Sequence, residues 1–144
     1  AGAYCGGTGG DPDAVDEIVL EYNTMRGTLP PELGLLTSLR TIRLGYNYDL
    51  SGPLPPALGD LSNLEALDLE ENSFAGPVPA SLGRLGKLRT LNLNRNGLSG
   101  QLPAGLGNLT SVTVLDLSEN RLGGTIPTEL TAGMTAAVEF RLND

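Results

Sequence analysis

The chain has 144 residues, of which 40% are apolar and 18% charged, and its formal net charge is −8. This acidic balance argues against nucleic acid as a partner, because phosphate binding needs clustered Lys and Arg. No apolar run approaches the length needed to cross a bilayer. The chain has no His, which removes the commonest general base and metal ligand.

Residues 1–13 form a Gly-rich lead-in without periodicity. The lead-in contains Cys5, the single cysteine of the chain, which has no second thiol for an internal disulfide. Periodicity begins after it, so we predict a repeat domain over 14–144. This domain should hold about five full repeats and a terminal strand.

Four residue types recur along the repeat domain at intervals close to 24 residues. The recurring positions are Asn 23, 47, 72, 96 and 120; Gly 27, 52, 76, 100 and 124; Pro 30, 55, 79, 103 and 127; and Leu 33, 58, 82, 106 and 130. A fixed period of this length indicates a stack of identical supersecondary units.

Each unit opens with a short segment whose apolar residues alternate with polar ones, which is typical of a strand with one buried face. The predicted strands carry Val15, Ile18 and Leu20; Leu39, Ile42 and Leu44; Leu64, Leu67 and Leu69; Leu88, Leu91 and Leu93; Val112, Leu115 and Leu117; and Ala137, Phe140 and Leu142. Six parallel strands would form a sheet roughly 25–30 Å across.

The residues after each strand have separate predicted roles. The Asn should turn inward and satisfy backbone groups in the turn. The Gly should allow a backbone approach that a Cβ would block, and the Pro should prevent a second regular strand. A short helical turn would then bury pairs such as Leu82 and Leu85, so that stacking of neighbouring units supplies the stability.

The motifs in these turns resemble the plant-type leucine-rich repeat. Gly-x-Leu-Pro occurs at 27–30, 52–55 and 100–103, with related sequences at 76–79 and 124–127, and Leu106-Gly-Asn-Leu-Thr110 fits the same family. The resemblance implies an α/β solenoid, a right-handed superhelix with a concave parallel sheet of about six strands. It also implies binding of proteins, peptides or glycans in receptor-like or secreted proteins.

The family resemblance also bears on the ends and on location. A paired-cysteine cap usually precedes the first repeat of the family, so residues 1–13 are a lead-in or a cap remnant in which Cys5 lacks its mate. The given sequence stops about where the recurring Asn should follow the sixth strand. We therefore expect either a fragment, whose further repeats cover the C-terminal edge, or a partner subunit that covers this edge. Asn108-Leu-Thr110 is a glycosylation acceptor sequence and favours an extracellular or secretory location; the alternative is an intracellular or organellar assembly.

The concave face is the predicted binding surface, because its side chains vary from repeat to repeat and have no predicted structural role. Tyr22 and Tyr46 should lie side by side with Arg43 near them, and such residues are frequent interface anchors. The alternative is that the tyrosines cover the edge of the first repeat. The full set of candidate ligand-binding residues is Tyr22, Arg43, Tyr46, Asp68, Glu70, Glu71, Asn92, Asn94, Arg95, Asp116 and Glu119.

The acidic members of this set are Asp68, Glu70, Glu71, Asp116 and Glu119. They could meet a basic partner. Ca²⁺ is a weaker alternative, because a flat sheet offers few of the six or more oxygens that the ion needs. Asp68 and Asp116 are two strands apart and do not form a hydrolase pair. We therefore predict no metal, no cofactor and no enzymatic activity.

Two functions follow from these observations. The preferred hypothesis is a non-catalytic module that recognises a protein, a peptide or possibly a glycan on its concave sheet. The alternative is a structural subunit that packs into a larger assembly through its uncapped end and convex loops. Substitutions on the concave face should weaken binding in the first case and have no effect in the second.

Overall fold

The computed structural model describes residues 14–133 and 139–142, in which the secondary structure repeats with the period of the sequence. The lead-in with Cys5, and also Ala137, Asn143 and Asp144, lie outside the described residues. The predicted solenoid of leucine-rich repeats is confirmed.

The inner sheet has six parallel strands, as the alternating segments predict. Its strands are β1 (Glu17–Val19), β3 (Thr41–Arg43), β5 (Ala66–Asp68), β7 (Thr90–Asn92), β9 (Val114–Asp116) and β11 (Glu139–Arg141). They pair in this order, with register partners such as Ile42, Leu67 and Leu91. Equivalent residues of successive repeats therefore stand next to each other across the sheet.

A second parallel sheet, which the sequence did not predict, runs along the side of the solenoid. Its five strands are β2 (Arg26–Gly27), β4 (Asp49–Gly52), β6 (Ser73–Gly76), β8 (Gly97–Gln101) and β10 (Arg121–Gly123). Each strand lies between the recurring Asn and the recurring Pro, a segment in which the sequence analysis predicted no strand.

In the described part of the chain, the convex side carries four 3₁₀ helices and one short α-helix. The 3₁₀ helices are Pro31–Leu35, Pro56–Asp60, Ala80–Arg84 and Ala104–Asn108, and the α-helix is Thr128–Gly133. The recurring Pro starts each of them: the carbonyl of Pro79, for example, accepts the N–H of Leu82 at 3.1 Å. No helix in the described part of the chain is long and apolar enough to cross a membrane.

The core between the sheets and helices consists mainly of leucines from all three layers. In one repeat Leu67 of the inner sheet, Phe74 of the side sheet and Leu82 of the 3₁₀ helix are all 0% exposed. Complete burial of one such side chain contributes about 1.5–3 kcal/mol. Each repeat packs against its neighbours, so this contribution depends on stacking.

Two sets of glycines meet two different requirements. Gly76 of the predicted set has a φ of +85°, and a Cβ there would lie no closer than 3.9 Å to a neighbour. The expected close backbone approach is therefore wrong at this position, where the left-handed φ is the reason for Gly. The close approach occurs instead at Gly83 on the convex side, where a Cβ would lie 2.6 Å from the carbonyl carbon of Gly105.

The recurring Asn side chains turn inward and link adjacent turns, as predicted. The Asn96 Nδ2 donates to the carbonyls of Leu69 at 2.9 Å and Leu93 at 3.2 Å, and its Oδ1 accepts the Phe74 N–H at 3.0 Å. Asn47 and Asn120 make equivalent contacts with neighbouring repeats. These amides provide partners for backbone groups that the turns would otherwise leave unpaired.

One repeat interrupts this pattern. The segment from Asn47 to Gly52 is one residue longer than its counterparts, and the Leu50 N–H donates to the Asn47 carbonyl at 2.8 Å. The Oδ1 of Asn72 consequently lacks the donor that Asn96 receives, and it is buried without a hydrogen-bond partner in the described structure. The insertion therefore removes one of the hydrogen bonds by which the recurring Asn side chains link adjacent repeats, close to the candidate tyrosines.

Candidate functional site

The candidate residues lie in columns at the carboxyl ends of the inner strands. Arg43, Asp68, Asn92 and Asp116 are direct register partners. Glu70 and Asn94 follow two residues later in their own repeats, and Tyr22, Tyr46, Glu71, Arg95 and Glu119 form the next column. The parallel register places the eleven candidates on one continuous surface.

The last of these columns has an unusual backbone. Tyr22, Tyr46, Glu71, Arg95 and Glu119 all have φ between 50° and 59°. Non-glycine residues rarely adopt this left-handed region. The inward Asn follows each of them directly, so the turn that buries the Asn also directs this column along the rim of the sheet.

Tyr22 and Tyr46 form a stacked pair at one end of this rim. Their ring centroids are 4.3 Å apart with an interplanar angle of 8°, which confirms the predicted adjacency. Tyr22 is 73% exposed. The negative charge of Glu70, partial burial and a side-chain hydrogen bond to Glu70 raise the pKa of Tyr46 to about 12.

The acidic candidates do not form a single group, because two arginines form ion pairs with some of them and not with the others. Arg95 binds Glu119 at 2.8 Å and also binds Glu71. Arg141 lies 3.5 Å from Asp116. The acidic candidates in the second half of the surface are therefore ion-paired, with Arg95 shared by two of them, whereas Asp68 and Glu70 have no ion-pair partner among the described residues.

The side chains of the concave face were predicted to have no structural role, but three of the candidates do have one. The Oδ1 atoms of Asp68, Asn92 and Asp116 each accept the backbone N–H two residues later, at 3.2, 3.2 and 3.0 Å. Such contacts hold the strand ends in place. Asn94 also donates to the Ser118 hydroxyl at 2.7 Å, so these polar residues both shape the surface and line it.

The candidate set omitted two residues beside the tyrosine pair. Gly45 is the position without a side chain in its column, and a Cβ there would lie 3.2 Å from Glu70 Cγ and 3.7 Å from Asp68 Oδ1. Glu21 is close enough to raise the pKa of Asp68. The side chain of Glu70 packs against Gly45, and a glycine where other repeats place Glu, Asn or Ser was the available signal for this contact.

The Asp68 carboxyl gives a testable pH dependence. Burial raises its pKa, and the charges of Glu70 and Glu21 add to that effect. Because the folded pKa lies above the unfolded one, the resulting stabilisation is present at acidic pH and is lost as the pH rises. Asp68→Asn should therefore raise the Tm at pH 7 by roughly 1–4 °C, measured by thermal denaturation.

Asn is compatible with this position because Asn92 accepts the same type of backbone hydrogen bond in the next repeat. The advantage of the variant should disappear at pH 3, where Asp68 itself is protonated. Asp116→Asn is the control, since it removes an ion pair with Arg141 and should not stabilise the chain. A pH-independent gain for Asp68→Asn would contradict the electrostatic explanation.

Two remaining features lie apart from the tyrosine pair. Asn108 is exposed at the end of the 3₁₀ helix Ala104–Asn108, on the convex side. Within residues 14–133 and 139–142, no three His, Cys, Asp or Glu side chains are grouped as metal ligands.

The comparisons with known proteins agree with the fold and the repeat motifs. The leucine-rich repeat family matches residues 37–98 and 62–122, and the chain belongs to this family. Among curated proteins no significant match was found.

The similar solved structures include plant receptor ectodomains. The plant peptide hormone receptor RGFR1, solved in complex with RGF2, is 34% identical with a TM-score of 0.86, over 90% of this chain and 21% of the receptor chain. The leucine-rich-repeat ectodomain of the Arabidopsis thaliana membrane receptor kinase GASSHO1/SCHENGEN3 is 33% identical with a TM-score of 0.90, over 100% and 17%. The repeats are therefore of the plant type, and the chain spans about a fifth of these receptor chains.

The same scaffold also occurs in a protein with a different role. A plant ice-binding protein is 32% identical with a TM-score of 0.77, over 82% of this chain and 38% of the other. The fold alone therefore does not determine the function, which must be argued from the surface of this chain.

Proposed function

We propose that the chain is a non-catalytic, extracellular module that binds a peptide or protein segment along its concave sheet. The observation that carries this proposal is the Tyr22–Tyr46 stack, in which Tyr22 is exposed and Tyr46 half-buried, on a continuous row of polar side chains. Aromatic residues and Arg dominate binding energy at interfaces, and Arg43 is exposed on the adjacent strand end without an ion-pair partner among the described residues.

The comparisons support a peptide as the ligand. RGFR1 was solved with RGF2, and the GASSHO1/SCHENGEN3 ectodomain was solved with CASPARIAN STRIP INTEGRITY FACTOR 2. The position of Asn108 is compatible with an extracellular location, because a glycan there would project from the convex side and leave the sheet accessible. Ligand binding in an open, flat groove would depend on a few side chains with large contact areas.

The proposal is tested by selecting binders from a phage-displayed library of random 12-residue peptides and measuring their affinity for variants. Arg43→Ala and Tyr46→Ala should each weaken binding by about tenfold or more. Neither substitution should lower the Tm noticeably, because both side chains lie outside the core. Affinities would be measured by biolayer interferometry and melting by circular dichroism.

Arg84→Ala is the matched control, because Arg84 is also exposed but lies on the convex side in an ion pair with Asp60. Its affinity should equal that of the unmodified chain. Equal affinities for Arg43→Ala and Tyr46→Ala would refute the concave site. Loss of binding on convex substitution alone would favour the alternative, assembly through the convex loops.

A further inference from the structure

The recurring Asn side chains link adjacent repeats at the side sheet, and one of these links differs from the others. The Oδ1 atoms of Asn96 and Asn120 each accept the backbone N–H of the residue 22 positions earlier, at 3.0 Å. Asn47 accepts the corresponding N–H at 3.3 Å. The Oδ1 of Asn72 has no hydrogen-bond partner among the described residues, although Asn72 is only 8% exposed. The link is therefore missing between the second repeat (39–63) and the third (64–87).

The extra residue of the second repeat explains the missing link. Leu50 is the equivalent donor for Asn72 by its position in the repeat, but its N–H donates to the Asn47 carbonyl at 2.8 Å. The hydroxyl of Ser73 replaces part of what is lost, because it donates to the Tyr48 carbonyl at 2.6 Å. Ser73 is exposed, so water competes for this bond, and the replacement is weaker than a buried link.

The rest of this junction between repeats is intact. The Leu44 N–H donates to the Asp68 carbonyl at 2.9 Å, and the Asn72 Nδ2 donates to the Leu44 carbonyl at 3.0 Å. A buried acceptor without a donor nevertheless lowers the stability of the junction at which it lies. Each repeat of a solenoid contacts only its neighbours, so partial opening takes place where a junction is weak.

We propose that the junction between the second and third repeats is a site of partial opening, at which residues 14–63 separate from the later repeats while these stay folded. The part that separates carries Tyr22, Arg43 and Tyr46, whereas Asp68 and Asn92 lie beyond the junction. Opening therefore divides the candidate binding surface, which is complete only in the closed chain. The inserted residue controls how often the two parts of this surface are available together.

Hydrogen exchange at two equivalent N–H groups, followed by NMR, tests this proposal. Leu44 donates to Asp68 across the proposed junction at 2.9 Å, and Leu93 donates to Asp116 at 2.8 Å across the junction between the fourth and fifth repeats. Where the exchange rate reports the population of open molecules, a change in the stability of one junction changes the rate at that junction. Unfolding of the whole chain would change both rates equally.

The first variant is the deletion of Asp49, which gives the second repeat the length of the others. The Leu50 N–H can then form the bond from which the insertion diverts it. Exchange at Leu44 should become slower by at least about tenfold, and exchange at Leu93 should stay within about twofold. Asp49→Ala is the control, because it removes the ion pair with Arg26 but keeps the extra residue. It should not slow exchange at Leu44.

The second variant keeps the extra residue and does not depend on a shortened turn. Ser73→Ala removes the hydrogen bond to the Tyr48 carbonyl and should speed exchange at Leu44 by about threefold or more. Ser111→Ala is the matched control, because it removes a hydroxyl bond to the Gly86 carbonyl, 2.8 Å long, between the third and fourth repeats. It should leave exchange at Leu44 unchanged.

The outcomes decide the proposal without a ligand, so they are independent of the proposed peptide binding. Equal slowing at Leu44 and Leu93 in the deletion variant would overturn the proposal, because the chain would then open only as a whole. Unchanged exchange at Leu44 in the folded deletion variant would also overturn it. If the deletion variant does not fold, Ser73→Ala decides: faster exchange at Leu44 than in Ser111→Ala supports the proposal, and equal rates overturn it.

Discussion

Replacing Gly83 with Ala is expected to destabilise the solenoid by at least about 3 kcal/mol. A Cβ at this position would lie 2.6 Å from the carbonyl carbon of Gly105 and still closer to its oxygen. The obstacle is backbone, so no side chain can rotate away. The two repeats would have to move apart, which would loosen the packing of Leu82 and Leu106 in their shared core. Urea denaturation followed by circular dichroism would measure the loss.

Gly86→Ala provides a matched control three residues away. A Cβ at Gly86 would meet no atom within 4 Å, and its φ lies outside the left-handed region. This variant should therefore leave the midpoint of denaturation unchanged or raise it slightly, because Ala restricts the unfolded chain more than Gly does. Similar midpoints for the two variants would show that the repeats can separate without cost.

The main architecture was predictable because two strong periodicities coincide. Leucines such as Leu64, Leu67 and Leu69 alternate within each inner strand, and the Asn that follows recurs at the repeat length. Together they specify both the buried face and the turn that aligns one repeat with the next. The register of the six-stranded sheet then follows from stacking.

The side sheet and the convex glycines were less accessible from the sequence. Segments such as Ser73–Gly76 contain small residues and Gly, which have little intrinsic preference for strands. They pair because adjacent repeats hold them at the right distance. Gly83 resembles any turn glycine in the sequence, and only the position of Gly105 in the next repeat shows that a Cβ is excluded.

The sequence was sufficient to predict which candidate residues lie side by side, but not which carboxylates are ion-paired. The repeat register is sufficient to place Tyr22 beside Tyr46. Whether a carboxylate is neutralised depends on side-chain conformation across several strands, as the capture of Glu71 by Arg95 illustrates. The contact of Gly45 with Glu70 was missed because a search for functional side chains passes over a residue that has none.

Replacing Asn96 with Ala should destabilise the chain by about 2–4 kcal/mol. The Asn96 amide donates to the carbonyls of Leu69, Leu93 and Asn94 and accepts the Phe74 N–H. Alanine would remove the side-chain partner of all four backbone groups at once, and the half-buried position of Asn96 limits their replacement by water. Hydrogen exchange should show loss of protection at Phe74 in the preceding repeat as well as a lower Tm.

The matched control is Asn23→Ala, the same change at the first recurring Asn. Among the described residues, the Asn23 amide makes one hydrogen bond, to the Glu21 carbonyl at 2.8 Å, so this variant should lose no more than about 1 kcal/mol. A large difference between the two variants would show that the Asn residues stabilise the chain by linking repeats. Equal losses would mean that each Asn acts only within its own turn, and the cooperativity of the solenoid would then rest on its leucine core.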